Sequence, residues 1–276
     1  MPNFFASALG AATPRARQRG LALLMGLLLA GGGAAQAQRL AAGADQTLVL
    51  HPDGKLWASG GNAYGDLGDG SAQVQAQPVP VGSATWQLVA AGSQYNSAAI
   101  RTDGTLWVWG NNSYGQLGNG TTLARYQPVQ VNPGTTWQRV ALGNGHTVAI
   151  LADGTLWAWG SNYKGQLGDG TTTDHGTPEQ IGTASNWQSV SAYLTSTMAV
   201  RTDGTLWAWG DNNRGQLGDG TTSPHTVPTQ VGSATTWRSV EVGVFCTVAV
   251  RTDGTLWTWG ANYKGQLGDG TTTDHL

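Results

Sequence analysis

Several side chains in this sequence have the types and spacings that chemistry at a protein site requires. Ser161 and Lys164 have the Ser-x-x-Lys spacing of a serine nucleophile and its lysine partner. His175, His225 and His275 recur at matching positions and suggest metal ligands. Gly-Asp-Gly steps suggest calcium loops, and the single cysteine, Cys246, suggests a reactive thiol.

Comparison between copies of the same segment argues against each of these readings. Asn111, Asp211 and Ala261 occupy the position of Ser161 in the other copies, so the serine is a tolerated loop residue. One histidine in each copy cannot form a chelate, and the Gly-Asp-Gly steps lack the alternating oxygen ligands of a calcium loop. Cys246 has no paired histidine in its own repeat, and phosphate-loop and dinucleotide fingerprints are absent. The sequence therefore predicts no catalytic residue, no cofactor, no metal ligand and no enzymatic activity.

The elements that carry these residues repeat every fifty residues. The motif Asp-Gly-Thr-Leu-Trp-x-Trp-Gly is followed by a glycine-rich stretch, a proline and a further tryptophan. The motif begins at Asp103, Asp153, Asp203 and Asp253, with a decayed copy at Asp53; the prolines are Pro78, Pro128, Pro178 and Pro228, and the further tryptophans are Trp86, Trp137, Trp187 and Trp237. A period of this length indicates a propeller or a solenoid, in which each unit buries its apolar surface against its neighbours.

One repeat has the pattern of about four short strands. Residues 147–151 and 155–159 are rich in β-forming residues, and the Asp153-Gly154 step between them is a strong hairpin signal. Both faces of the second run are apolar, as expected for a sheet between two other sheets. No helical pattern follows, so the repeat is predicted to be a propeller blade.

Three segments of this repeat resemble the regulator of chromosome condensation repeat. They are Gly-His-Thr-Val-Ala-Ile at 145–150, Asp-Gly-Thr-Leu-Trp-Ala-Trp-Gly at 153–160 and Gly-Gln-Leu-Gly-Asp-Gly at 165–170. The resemblance implies an all-β fold, a β-propeller that usually has seven blades. It implies little about activity, because members include a nuclear nucleotide-exchange factor, photoreceptors and secreted enzyme inhibitors.

The length of the repeat region departs from a seven-bladed ring. Residues 38–276 hold about five copies, and the last stops within a unit. We expect an arc that is incomplete relative to seven blades, with a five-bladed ring lacking one strand as the alternative. An open blade edge in such an arc predicts self-association.

Residues 1–37 are predicted to be a secretory signal peptide. Arg15, Arg17 and Arg19 precede the ten-residue apolar run 21–30, and Ala35-Gln36-Ala37 fits a cleavage site. A spanning helix needs roughly 20 residues, so we expect an extracellular or periplasmic protein without membrane insertion. After cleavage eleven basic and sixteen acidic residues remain. This acidic balance argues against nucleic acid as a partner.

One loop varies between copies that otherwise barely vary. It precedes the Thr-Val-Ala-Ile strand, changes in length, and gains large apolar side chains in several copies. Equivalent loops of a propeller lie on one face, and exposed aromatic groups there are typical of a protein interface. The predicted partner-binding residues are Tyr95, Asn96, His146, Tyr193, Leu194 and Phe245. Neutral drift is the alternative reading.

These observations favour a secreted, non-catalytic module that binds an unidentified protein through one propeller face. Its sharper form, which rests on the resemblance, is an inhibitor-like protein. A guanine-nucleotide exchange factor-like regulator of a small GTPase is a second hypothesis, against which the signal peptide argues. A cell-surface adhesive or structural repeat array is the third.

Overall fold

A computed structural model describes residues 40–276, which form nineteen β-strands and no helix. The strands make five antiparallel sheets, and each sheet corresponds to one copy of the repeat. The predicted all-β fold, with about five blades, is confirmed. The predicted signal peptide lies outside the described residues.

Four blades have four strands each and the fifth has three. Blade 1 comprises β1 (Leu40–Ala42), β2 (Gln46–Leu50), β3 (Leu56–Gly60) and β4 (Gln75–Pro80). Blade 2 comprises β5 (Trp86–Ala91), β6 (Asn96–Arg101), β7 (Leu106–Gly110) and β8 (Arg125–Gln130). Blade 3 comprises β9 (Trp137–Leu142), β10 (His146–Leu151), β11 (Leu156–Gly160) and β12 (His175–Gln180). Blade 4 comprises β13 (Trp187–Tyr193), β14 (Ser196–Arg201), β15 (Leu206–Gly210) and β16 (His225–Gln230), and blade 5 comprises β17 (Trp237–Val242), β18 (Cys246–Arg251) and β19 (Leu256–Gly260).

The Asp-Gly steps form the hairpins that the sequence predicts. In blade 3, β10 pairs with β11 in the register Thr147↔Trp159 to Ile150↔Leu156. Asp153 closes the turn, because its Oδ1 accepts hydrogen bonds from the backbone N–H of Thr155 at 2.9 Å and from the Thr155 hydroxyl at 2.7 Å. Gly154 has φ +82°, which an L side chain rarely adopts. Each blade thus has a short, rigid end opposite its long loops.

The apolar core lies between the blades rather than inside any one of them. Four clusters of buried residues each combine one face of a blade with the opposite face of the next blade. Between blades 2 and 3, for example, Ile100 and Leu106 share a cluster with Trp137 and Trp159. The first strands of successive blades contact one another along the inner side of the arc.

A backbone carbonyl joins each blade to the next by two side-chain hydrogen bonds. The carbonyl of Gln116 in blade 2 accepts a bond from the indole N–H of Trp159 at 2.9 Å and from the hydroxyl of Thr147 at 2.8 Å. The same arrangement recurs at the carbonyls of Asp66, Gln166 and Gln216. The second tryptophan of the repeat motif therefore has a polar as well as an apolar role, and Ser59 takes its place in blade 1.

Five blades share four interfaces, so residues 40–276 form an open arc. Val248 and Leu256 in blade 5 are 37% and 66% exposed, whereas Val148 and Leu156 at the same positions of blade 3 are fully buried. The arrangement agrees with the expected incomplete arc. No helix among the described residues has the length and apolar character that a membrane crossing requires.

Candidate functional site

Two sets of loops meet at one end of the blades and form a surface that we call the loop face. One set joins the first and second strands of each blade, and the other is the long glycine-rich loop between the third and fourth strands. A backbone hydrogen bond ties the two sets in every blade, as from Asn111 N–H to the Tyr95 carbonyl at 2.8 Å. The two loops of each blade are therefore held together at this end of the fold.

A buried asparagine holds each long loop in the same shape. In blade 3 the Asn162 side-chain oxygen accepts the Leu167 N–H at 3.0 Å, and its amide nitrogen donates to Asp169 at 3.0 Å. The Asn-to-Leu bond recurs in all five blades. Long loops built in this way present their variable side chains from equivalent positions.

Two of the predicted partner-binding residues are buried. Asn96 is 1% exposed and His146 has no exposed surface. His146 Nε2 lies 3.1 Å from the Thr197 hydroxyl of the next blade, and desolvation lowers the pKa of the imidazole to about 3. We correct the prediction on this point, because each residue begins a second strand and folds inward over a glycine, Gly92 or Gly143, at the end of the first strand. The side chains of Asn96 and His146 are therefore not accessible to a partner in this structure.

The other four predicted residues are partly exposed on the loop face. They are Tyr95, Tyr193, Leu194 and Phe245. Tyr95 and Leu194 have φ +58° and +44°, a backbone region that bulky side chains rarely adopt. Gly145, with φ +75°, occupies the position of Tyr95 in blade 3, and Asn144 occupies the position of Leu194. At Tyr95 a large side chain thus stands where glycine would cost less.

Four tyrosines from the long loops extend this surface, and the sequence reasoning missed them. Tyr64, Tyr114, Tyr163 and Tyr263 are 42%, 43%, 58% and 55% exposed. The ring of Tyr64 stacks on that of Tyr95, with centroids 5.2 Å apart and planes at 26°. Variation between copies at the residue before the Gly-Gln-Leu-Gly element was a signal that could have identified Tyr64 and Tyr114.

Burial and neighbouring groups change the electrostatics of the loop face. Desolvation, with Asp211 and Tyr114 nearby, raises the pKa of Tyr163. Burial also raises the pKa of Asp66, which stands where the other repeats have glutamine. Lys164 Nζ lies 3.7 Å from the Asp211 carboxylate.

The arrangement of the other candidate groups favours structural roles. Ser161 is 1% exposed, and Lys164 contacts Asp211. His175 and His275 bind Asp169 and Asp269 of their own blades at 2.9 and 2.7 Å, so each holds its long loop to the residues that follow the loop. Among residues 40–276 no three His, Cys, Asp or Glu side chains are grouped as metal ligands. Desolvation raises the pKa of the half-buried Cys246 thiol.

One cavity of about 320 Å³ lies at the end of the blades opposite the loop face. Its lining includes the Asp103-Gly104 turn and the side chains of Trp137 and Arg139. No predicted partner-binding residue lines it.

Comparison with solved structures places this arc among propeller proteins. The crystal structure of human WBSCR16 matches with a TM-score of 0.75 and 22% identity, over 84% of this chain and 63% of that one. Prp20p from Saccharomyces cerevisiae matches with a TM-score of 0.57 and 19% identity, over 86% and 74% of the two chains. Yeast RCC1 (Prp20) bound to Kap60 gives a TM-score of 0.56 at 17% identity, over 86% and 72%. The chain spans less than two thirds of the length of WBSCR16, and at these identities the likeness concerns the fold alone.

Comparison with family models is more specific, although no curated protein matches the chain. One model of the regulator of chromosome condensation (RCC1) repeat matches residues 103–150, 153–200 and 203–250. A second model of that repeat matches residues 86–116, 137–166, 187–216 and 237–266. These matches cover more than half of the chain, and they coincide with the blades and their connecting loops. The chain belongs to the regulator of chromosome condensation (RCC1) repeat family.

Proposed function

We propose that this protein is a secreted, non-catalytic module that binds a protein partner through its loop face. Tyr95, Tyr193, Leu194 and Phe245 supply apolar anchors, and the long-loop tyrosines enlarge the surface around them. Aromatic side chains grouped on a rigid surface supply most of the binding energy at many protein interfaces. The RCC1-repeat fold supports a binding role, since it presents such loops from several blades at once.

One observation carries this proposal: Tyr95 and Leu194 stand in left-handed backbone positions. That conformation costs an L-residue about 1 to 2 kcal/mol relative to glycine. Strained backbone is found at functional sites more often than elsewhere. Drift in an unconstrained loop does not favour a strained tyrosine at the position where blade 3 has Gly145. Tyr95 stacks on the exposed ring of Tyr64, so the strained residue holds a pair of aromatic rings on the loop face where a partner can contact them.

The test replaces Tyr95 and Leu194 by glycine and measures binding and stability separately. The partner is captured from the envelope of the producing cells with the unaltered protein, purified, and titrated against both proteins. We expect the double variant to lose at least about 30-fold in affinity, because a hot-spot anchor contributes about 2 kcal/mol. Its melting temperature should stay close to that of the unaltered protein, since relief of strain offsets the lost contacts.

The control variant is His175→Gln, which copies Gln75 of blade 1 on the outer strand. Gln75 donates to Asp69 at 3.0 Å, so glutamine can replace the histidine contact. It should leave binding unchanged. Equal affinity of the glycine double variant and the unaltered protein would show that the loop face is not the site.

A regulator of a small GTPase is the second candidate function. Prp20p, one of the similar structures, is described together with its binding to Gsp1p and histones. That partnership belongs to Prp20p, and the predicted signal peptide argues against a cytosolic partner here. Accelerated nucleotide release from a purified small GTPase in the presence of residues 38–276 would favour this candidate over the first.

Secretion itself rests on residues 1–37 and is tested separately. Mass spectrometry of the protein recovered outside the cytosol should give an amino terminus at Gln38. A product that keeps residues 1–37 and stays in the cytosol contradicts the localisation. A product attached to the cell surface would favour the adhesive array.

A further inference from the structure

The residue before the glycine of each long loop holds the same place in all five blades. In blades 2 to 5 its backbone N–H donates to the side-chain oxygen of the glutamine two residues later, at 2.8 to 2.9 Å. In blade 1 the acceptor is Asp66, at 3.4 Å. The side chains at this place are Tyr64, Tyr114, Lys164, Arg214 and Lys264. Because the backbone is held alike, these five side chains leave the loop face from equivalent points.

The chemistry at this place changes along the arc. Blades 1 and 2 present the aromatic rings of Tyr64 and Tyr114. Blades 3 to 5 present a cation each, and Lys164 is the one of the three that has a carboxylate within 4 Å among the described residues. Arg214 and Lys264 are exposed. An acidic protein thus carries two unpaired cations on the same face as its aromatic groups.

We propose that the loop face fits a protein segment that is apolar at one end and acidic at the other. The apolar end lies on the tyrosines of blades 1 and 2, and the acidic end meets Arg214 and Lys264 on blades 4 and 5. This inference rests on the proposed function and specifies its partner. Complementary charge at an interface selects the partner and its orientation, and it speeds association.

Exposed charges give a contact whose strength depends on salt. The Debye length falls from about 14 Å at 0.05 M salt to about 4 Å at 0.5 M. The aromatic end buries apolar surface and should respond little to salt. The two ends can therefore be separated by ionic strength and by substitution.

The experiment selects peptides from a random twelve-residue phage-displayed library on immobilised protein, and the selected peptides are synthesised. Their affinities are measured at 0.05 M and 0.5 M NaCl for the unaltered protein and three variants. The first variant is Arg214→Gln/Lys264→Gln, and the second is Tyr64→Ser/Tyr95→Gly. The matched control is Arg139→Gln/Arg238→Gln, which removes two exposed arginines at the opposite end of the blades.

We expect enriched peptides with Asp or Glu grouped at one end and Leu, Tyr or Trp at the other. The charge variant should weaken their binding about 5- to 30-fold at 0.05 M NaCl and by less than about twofold at 0.5 M. The control should leave binding unchanged. Circular dichroism and melting temperature check that every variant is folded.

The outcomes separate this inference from the proposed function. If neutral or basic peptides are enriched, and the tyrosine variant alone weakens them, the acidic partner is wrong and the binding face stands. If peptide binding survives both loop-face variants, or no peptide depends on this face, both proposals are overturned. Acidic peptides that bind equally well to the charge variant also overturn the inference.

Discussion

Replacement of His146 by glutamine should remove a large part of the acid sensitivity of folding. His146 is fully buried, and its ring nitrogen Nε2 contacts the Thr197 hydroxyl of blade 4. Blade 1 carries Gln46 at the same position of the repeat, with 2% of its surface exposed. The substitution therefore introduces a side chain that this fold already buries there, and it removes a titrating group.

The sign of the effect follows from where His146 binds a proton. In the unfolded chain its pKa has the ordinary value of 6.5, and in the folded protein desolvation lowers it to about 3. Between these pH values the unfolded state holds a proton that the folded state lacks, so stability falls as pH falls from 6.5 toward 3. Each pH unit within that window corresponds to about 1.4 kcal/mol. Acidification from pH 7.5 to 4.5 should therefore cost about 3 kcal/mol through this one residue.

The assay is urea unfolding followed by tryptophan fluorescence, at half-unit steps from pH 7.5 to 4.5. At pH 7.5 the variant should be less stable by about 1 kcal/mol, because one hydrogen bond and some packing are changed. At pH 4.5 the order should reverse, and the variant should be more stable by about 2 kcal/mol. The carboxylates titrate in both proteins, so the difference between the two curves isolates His146. Parallel curves across this range would refute the assignment of a neutral, buried imidazole.

Three further perturbations follow from the blades and their loops. Tyr193→Ala/Phe245→Ala should weaken partner binding by two or more orders of magnitude in a protein that stays folded, with a lower melting temperature because Tyr193 packs against the cluster between blades 4 and 5; an unchanged affinity in a titration contradicts the loop face as the site. Gly118→Ala should destabilise folding by about 2 to 4 kcal/mol, because φ is +65° and a Cβ would lie 2.6 Å from the indole nitrogen of the next blade. Gly82→Ala is its control, with φ +60° and no atom within 4 Å, and should cost about 1 kcal/mol in chemical unfolding; equal losses contradict the packing argument. Leu256→Gln should reduce any self-association of residues 38–276 seen by light scattering, because that side chain is 66% exposed on blade 5; unchanged oligomers point to another surface.

The fold was predictable because its signals are local and repeated. The Asp153-Gly154 step indicates a hairpin from fewer than ten neighbouring residues. The Asp-Gly steps of the four other copies indicate the same hairpin independently. Apolar residues on both faces of a strand indicate a sheet that packs on two sides, which the four inter-blade clusters confirm. The Gln116 carbonyl, which accepts hydrogen bonds from Trp159 and Thr147, joins residues that are far apart in sequence. No local sequence pattern predicts these hydrogen bonds.

The candidate site was predictable only in part, because burial at a strand boundary depends on the neighbouring strand. Asn96 and His146 end a variable loop in the sequence, yet each begins a strand and turns inward over a glycine. Variation at these positions therefore reflects alternative ways to fill a small buried space. The long-loop tyrosines were missed because they lie beside a glycine-rich element that changes little between copies. Their exposure follows from the buried asparagine that shapes the loop, such as Asn62 or Asn112.

The paired bonds at each inter-blade carbonyl have a consequence for how such a protein changes over evolutionary time. Every junction uses a carbonyl, a hydroxyl and an indole at the same positions of the repeat, so this part of the interface is kept whichever internal blade follows another. Recombination between near-identical gene segments can then add, delete or reorder whole blades while the core stays intact. Each recombination event transfers both variable loops of a blade together, so new combinations of surface residues arise in one step. Blade 1 is the exception, since Ser59 lacks the indole that a preceding blade would need, and insertions upstream of it should be the least tolerated.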